Sequence, residues 1–203
     1  NDHTLTYGIE HTLYDTEYKY VLTSGDTERN TEDSATTSLY LQDRWNIKNT
    51  DIIIGGRYDT VELNTTLTDD SFSEFTAGLG IEQQITDGLS AGLHSSQLFK
   101  APEVAEVYVG AGLYDTPNPD IEAETGINHE LSLDYADAVL GADKFSVGAT
   151  VFQTEINDYI YDYAARGFKD NVGDLTIRGS ELYLGYDIAN LQTMLTFSRA
   201  ASD

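Results

Sequence analysis

The stretch from Leu39 to Asp59, LYLQDRWNIKNTDIIIGGRYD, decides the fold. Leu39, Leu41, Trp45 and Ile47 occupy alternate positions, with Asp43 interrupting them. Beyond Lys48-Asn49-Thr50 the alternation resumes as Ile52, Ile54, Gly56 and Tyr58, set against Ile53, Gly55, Arg57 and Asp59. Successive side chains of a strand point to opposite faces, so two such segments around a short polar turn predict an antiparallel hairpin.

The same period extends outward from this hairpin. Leu5, Tyr7 and Ile9 oppose Thr6, Gly8 and Glu10, and Phe75, Ala77, Leu79 and Ile81 oppose Thr76, Gly78, Gly80 and Glu82. Residues 89–94, 127–135, 145–151, 181–187 and 191–197 continue the pattern, and no stretch carries a helical stripe. This predicts about nine strands of roughly 10–13 residues, the length a tilted membrane strand requires. Strands of a soluble sandwich usually run about 5–6 residues.

The connections sort by parity. Long ones are expected at 14–36, 63–73, 100–126 and 163–173, and short ones at 48–50, 86–88, 137–142 and 188–190. Outer-membrane barrels place short turns on the periplasmic side and long loops outside. A soluble sandwich or lectin-like domain, the alternative with alternating strands, has no reason to do so. The expected fold is therefore an all-β, antiparallel transmembrane β-barrel segment with long extracellular loops and short periplasmic turns. Its apolar face meets lipid, and the face rich in Gly, Ser, Thr and charge lines a polar interior. Tyr7, Trp45, Tyr58, Tyr135 and Tyr186 are expected in the aromatic girdles.

Composition supports this class. The 203 residues are 40% hydrophobic, and 17 glycines and 14 tyrosines stand against 3 prolines and 1 methionine, a balance that favours strands. The absence of cysteine removes disulfides and thiolate metal sites. A net charge of −24 excludes a nucleic-acid surface, which needs a basic footprint. No apolar run reaches the ~18–20 residues of a transmembrane helix. The start at Asn1 carries no leader-like segment, so an internal piece of a longer chain is expected.

Several stretches resemble the barrel of TonB-dependent outer-membrane receptors. Gln42-Asp43-Arg44-Trp45 followed by Gly55-Gly56-Arg57-Tyr58-Asp59 is similar to that family's Q-D-x-W … G-x-R-Y-D hairpin. Phe99-Lys100-Ala101-Pro102 resembles its F-R-A-P box, and Asn118-Pro119-Asp120-Ile121-Glu122-Ala123-Glu124-Thr125 resembles N-P-x-L-x-x-E-x. Asn128-His129-Glu130-Leu131, the run from Val151 to Ile160, Asn171-Val172-Gly173 and Arg178-Gly179-Ser180-Glu181 follow in the family's order. The resemblance implies a barrel of about 22 strands closed by an internal plug. Residues 1–203 would be part of that barrel, with the plug domain and the C-terminal strands outside this chain. It further implies active uptake of an iron chelate, siderophore or haem, energised by TonB through the plug. Outer-membrane lipid and lipopolysaccharide are the surrounding partners. A passive porin-like or adhesive barrel, and a barrel enzyme, are the other classes considered.

No catalytic motif is visible, and neither a cofactor nor a metal cluster is expected. In haem-type members of the family, the loop between the F-R-A-P and N-P-x-L boxes carries a ligating histidine. This loop has Tyr108 and Tyr114 instead. Tyrosinate ligates ferric iron, or the rings cover the ligand mouth while the boxes fix the loop base. Tyr161 and Tyr163, with Arg166 nearby, add aromatic surface suited to planar ligands, as do Tyr14, Tyr18 and Tyr20. Asn118 opens the second box, and His94 is expected in the lumen near the upper part of its strand. Asp26, Glu28, Glu32 and Asp33 either hold divalent cations that bridge lipopolysaccharide or are solvated charge.

Overall fold

The computed structural model describes residues 2–21, 23–65, 69–107, 118–163 and 168–203, without the side chains at 18, 20, 28, 30, 162, 163 and 168. The strands are β1 (Asp2–Val21), β2 (Thr27–Ile47), β3 (Thr50–Asn64), β4 (Asp69–Gln84) and β5 (Leu89–Lys100). A one-turn helix, α1 (Val104–Val107), precedes β6 (Glu124–Asp137) and β7 (Lys144–Asn157). A short hairpin, β8 (Ile160–Tyr163) and β9 (Phe168–Asn171), leads to β10 (Leu175–Ile188) and β11 (Leu191–Ser202). Nine of these strands form one sheet in chain order, every neighbour antiparallel, with β8–β9 outside it.

The register fixes which side chains share a face. Ile9 pairs with Leu39, Leu39 with Tyr58 and Tyr58 with Phe75. Ile81, Leu93, Leu131 and Val151 make a second such row, and Leu182 pairs with Phe197. These side chains are exposed, Ile9 at 70% and Leu131 at 54%. A soluble sandwich would bury this face, so the pattern is inverted relative to a water-soluble core and suits lipid contact. The other face carries Glu10, Ser38, Arg57, Glu82, Ser132, Thr150 and Glu181. Where a large side chain lies across this inner wall its neighbour is glycine, as at Gly148, where an added Cβ would meet the Tyr183 ring.

Aromatic residues mark the short-turn end of the lipid face. Trp45, Tyr135, Phe145 and Tyr186 all lie within a few residues of a short turn, and the Tyr135 and Phe145 rings are 6.5 Å apart. Tyr58 and Phe75 sit opposite one another farther up, while Tyr7 is the sixth of the 20 residues of β1.

The first two long connections are much shorter than the sequence pattern suggests, residues 22–26 and 65–68 in place of 14–36 and 63–73. β1 and β2, of 20 and 21 residues, stay paired as far as Val21 and Thr27. About 9–11 residues cross a membrane, so this hairpin projects beyond it. Apolar alternation ends where lipid ends, but a backbone ladder in water needs no apolar face. In the turn at residues 48–49, Lys48 takes the left-handed backbone, with φ of 59°.

Candidate functional site

The connection from β5 to β6 turns inward at the long-loop end of the sheet. Pro102 is fully buried, and α1 sets Val104 and Val107 against Leu63, with Val61 and Phe72 packed on the same cluster. Val61 and Leu63 pair with Thr36 and Ser34 of β2 and belong to the inner wall by register. They are apolar there because α1 covers them. Lys100 closes the base of the loop, its Nζ 2.8 Å from Glu106 Oε1 and 3.8 Å from Glu124 Oε2. Glu124 is 8% exposed and also accepts the Ile160 amide at 2.7 Å.

This loop is joined to the β8–β9 hairpin. Asn118 Nδ2 donates to the Lys169 carbonyl at 2.9 Å, and Lys169 Nζ donates to the Ala105 carbonyl at 3.2 Å. Asn171 Oδ1 accepts the Glu122 amide at 2.8 Å, while its Nδ2 donates to the Glu122 carbonyl at 3.1 Å and to the Asp158 carbonyl. A carboxamide offers the same donor and acceptor as a peptide group, so Asn171 pairs with Glu122 as a strand neighbour would. The two external connections are thereby one hydrogen-bonded unit.

The inner wall is polar, and its arginines each lie between two carboxylates. Arg57 contacts Glu10 and Asp59, both at 2.9 Å, and donates to Ser38 Oγ at 2.7 Å. Arg44 pairs with Asp51 and reaches Glu82 at 2.9 Å. His94 Nε2 lies 3.9 Å from Glu82 Oε1 beside a cavity of about 430 Å³ lined by Asn46, Asp51, Glu82 and Asp134. Lys48 and Asn49 of a short turn line the same cavity, which extends from that turn to His94 at the middle of β5. The expectation that it lies near the upper part of its strand is adjusted only slightly, because His94 is the sixth of the twelve residues of β5 and stands at mid-strand.

The sequence-predicted residues therefore separate into two places. Asn118 and Tyr161 belong to the joined external connections; Tyr161 is 53% exposed, its ring 6.4 Å from that of Tyr159. His94 is on the inner wall at the middle of β5, apart from them. The backbone of Tyr163 pairs with Phe168 in the same hairpin, but its side chain lies outside the described residues, as do Tyr108, Tyr114 and Arg166. Among the described residues no group of His, Asp and Glu is arranged to hold a metal ion. Sequence reasoning missed Lys169 and Glu10, which carry no motif, and it did not assign contacts to Glu122, Glu124 or Asn171 within their boxes.

The sequence matches, over residues 1–203, the family described as TonB dependent receptor-like, β-barrel. The chain belongs to that family. The receptor barrel is thus an outer-membrane β-barrel, from a family of transporters rather than enzymes. Its fold is similar to an apoprotein form of the FrpB iron transporter from Neisseria meningitidis, at TM-score 0.75 and 17% identity, covering 98% of this chain and 34% of that one. The copper transporter OprC gives TM-score 0.77 and 15% identity over 100% and 35% of the two chains. The hemophore receptor HasR of Serratia marcescens, as a double mutant in complex with its hemophore HasA and heme, gives 0.74 and 13% over 96% and 43%. At these identities the likeness is one of fold. The chain spans about a third of the length of the FrpB and OprC structures. No curated protein matches it significantly.

Within the receptor barrel the sequence boxes have a physical reading. Residues 99–102 supply Lys100 and the buried Pro102, residues 118–125 supply Asn118, the buried Ile121 and Glu124, and residues 171–173 supply Asn171. Each box places a side chain that ties one external connection to its base or to its neighbour.

Proposed function

We propose that the complete receptor takes up an iron chelate, a siderophore or haem, by TonB-dependent active transport. Residues 1–203 supply barrel strands and ligand-facing loops within a barrel of about 22 strands, with a plug encoded elsewhere in the longer chain contacting TonB. The observation that carries this reading is the pair of external connections joined through Asn118, Lys169 and Asn171 above a polar inner wall. A ligand arriving from outside meets this unit first, and Tyr161 on it offers an exposed ring for stacking. Tyr108, Tyr114, Tyr163 and Arg166 belong to the same two connections in sequence and are proposed as further ligand contacts. His94, on the inner wall at mid-strand, is proposed to meet the ligand or plug after capture. Lipid and lipopolysaccharide surround the apolar face.

Structural neighbours support iron chelates as the ligand class, since their descriptions include an iron transporter, a ferric-catecholate import receptor and a hemophore receptor. The description of OprC as a copper transporter sets the competing cargo. Deleting the intact gene and growing the strain on single defined iron sources tests the proposal. Loss of growth on one iron chelate, restored by the gene and abolished again without TonB, is the expected result. Normal growth on every iron source, or a defect confined to copper limitation, overturns it.

A further inference from the structure

Asp43 is a carboxylate on the lipid face. By register it stands in the row Leu5–Asp43–Ile54–Leu79, one row above His3–Trp45–Ile52–Ile81 at the short-turn end. Ionisable side chains facing lipid are costly, and those that persist there commonly mark functional sites. The Trp45 indole Nε1 donates to Asp43 Oδ2, and His3 Nδ1 lies 3.2 Å from the same oxygen. The His3 and Trp45 rings are 5.4 Å apart, and the His3 side chain is 58% exposed. Asp43 Oδ1 is buried without a hydrogen-bond partner, the one such side-chain atom among the described residues. A carboxylate accepts at about four sites, so the two donors leave this one half used. The next row up, Tyr7–Leu41–Gly56, begins an apolar groove of about 660 Å³ that continues past Ile9, Tyr58 and Phe75. Gly56 sets the depth of its floor, since an added Cβ would meet the Phe75 ring at 2.8 Å. A polar cluster at the periplasmic end of the lipid face thus leads directly into an apolar groove running toward the membrane middle.

We propose that His3, Asp43, Trp45 and this groove form a binding site for one phospholipid of the periplasmic leaflet whose headgroup carries a primary ammonium, as phosphatidylethanolamine does. Asp43 turns about its soft Cβ–Cγ bond and offers Oδ1 to the ammonium. His3, held to Asp43 through Nδ1, keeps Nε2 for the headgroup, and as the imidazolium it donates from there to the phosphodiester. One acyl chain lies in the groove over Gly56. The zwitterionic headgroup meets a carboxylate and an imidazolium in the complementary order, which offsets the cost of a charge in the lipid-facing row. A trimethylammonium headgroup has no N–H to give Oδ1, and an anionic headgroup sets like charge against Asp43, so both bind more weakly. The site lies on the outside of the barrel and is independent of what the receptor carries through it.

The test uses the purified full-length receptor in detergent with a phosphatidylethanolamine that carries a photoreactive group on one acyl chain. Crosslinks mapped by proteolysis should fall on the segments around Tyr7, Leu41 and Gly56. Unlabelled phosphatidylethanolamine should suppress them about tenfold more effectively than phosphatidylcholine of the same chain length, the effect of one hydrogen bond to a charged group. Phosphatidylglycerol should compete no better than phosphatidylcholine. Asp43→Asn should remove the preference and leave the two zwitterionic lipids equal, whereas His3→Leu, which removes the contact to their shared phosphate, should weaken both. Equal competition by the two zwitterionic lipids in the wild type, tightest competition by phosphatidylglycerol, or crosslinks scattered away from these segments overturns the inference. So does a preference that survives Asp43→Asn, or binding that His3→Leu leaves unchanged. The order of the three lipids on the wild type decides the matter by itself if Asp43→Asn does not assemble.

Discussion

Removing the Asn171 carboxamide should uncouple the two external connections without harming the sheet. Asn171 holds the Glu122 amide and carbonyl at 2.8 and 3.1 Å and donates to the Asp158 carbonyl as well. A net hydrogen bond in a protein contributes about 0.5–1.5 kcal/mol, so Asn171→Ala should lower the free energy of local opening by about 2–4 kcal/mol. That corresponds to a rise in the opened population of about 30- to 1,000-fold. Asn171→Asp retains an acceptor for the Glu122 amide but loses both donations, and sets a carboxylate against two carbonyl oxygens. It should do no better than alanine. Hydrogen exchange of the full-length receptor in nanodiscs reads this directly, because the amides of Glu122, Ile160 and Asn118 each have a partner within the joined unit. Glu122 loses its own acceptor, so the informative amides are Ile160 and Asn118. Their protection should fall in both variants while the β3–β4 ladder amides keep theirs. If both amides stay within about twofold of wild type in both variants, the coupling assigned to Asn171 is wrong.

Two further outcomes follow from the register. Leu131→Arg should weaken folding into lipid vesicles by about 2–4 kcal/mol, whereas Thr150→Arg should cost far less, because its side chain faces inward beside Glu181; equal losses measured by denaturant titration would refute the assignment of faces. Gly126→Ala should impair assembly, since the added Cβ would sit against the Glu155 backbone carbonyl, which a ladder holds in place; unchanged heat-modifiable gel mobility and unchanged denaturant midpoint would count against the close β6–β7 approach there.

Most of the fold is legible in the sequence. Rows such as Ile81–Leu93–Leu131–Val151 come from period-two alternation, which a strand imposes on every residue it contains. The upper part of β1 and β2 is not legible in this way. Residues such as Thr16, Glu17 and Thr31 are polar on both faces, and nothing in their pattern separates a ladder standing in water from an irregular loop. The candidate site is legible only as a set of boxes. Asn118 and Asn171 are visible as motif residues, yet a separation of more than 50 positions conceals that one donates into the hairpin ending at the other.

By itself, then, the sequence determined the nine strands of the main sheet and their lipid and inner faces, because these are periodic and local consequences of crossing a bilayer. Tertiary structure alone decided that α1 folds inward over Val61, Leu63 and Phe72, that Asn171 ties Glu122 to the β8–β9 hairpin, and that His94 stands beside Glu82. Those contacts join residues far apart in the chain, and their strength depends on distance and burial, which no local pattern encodes.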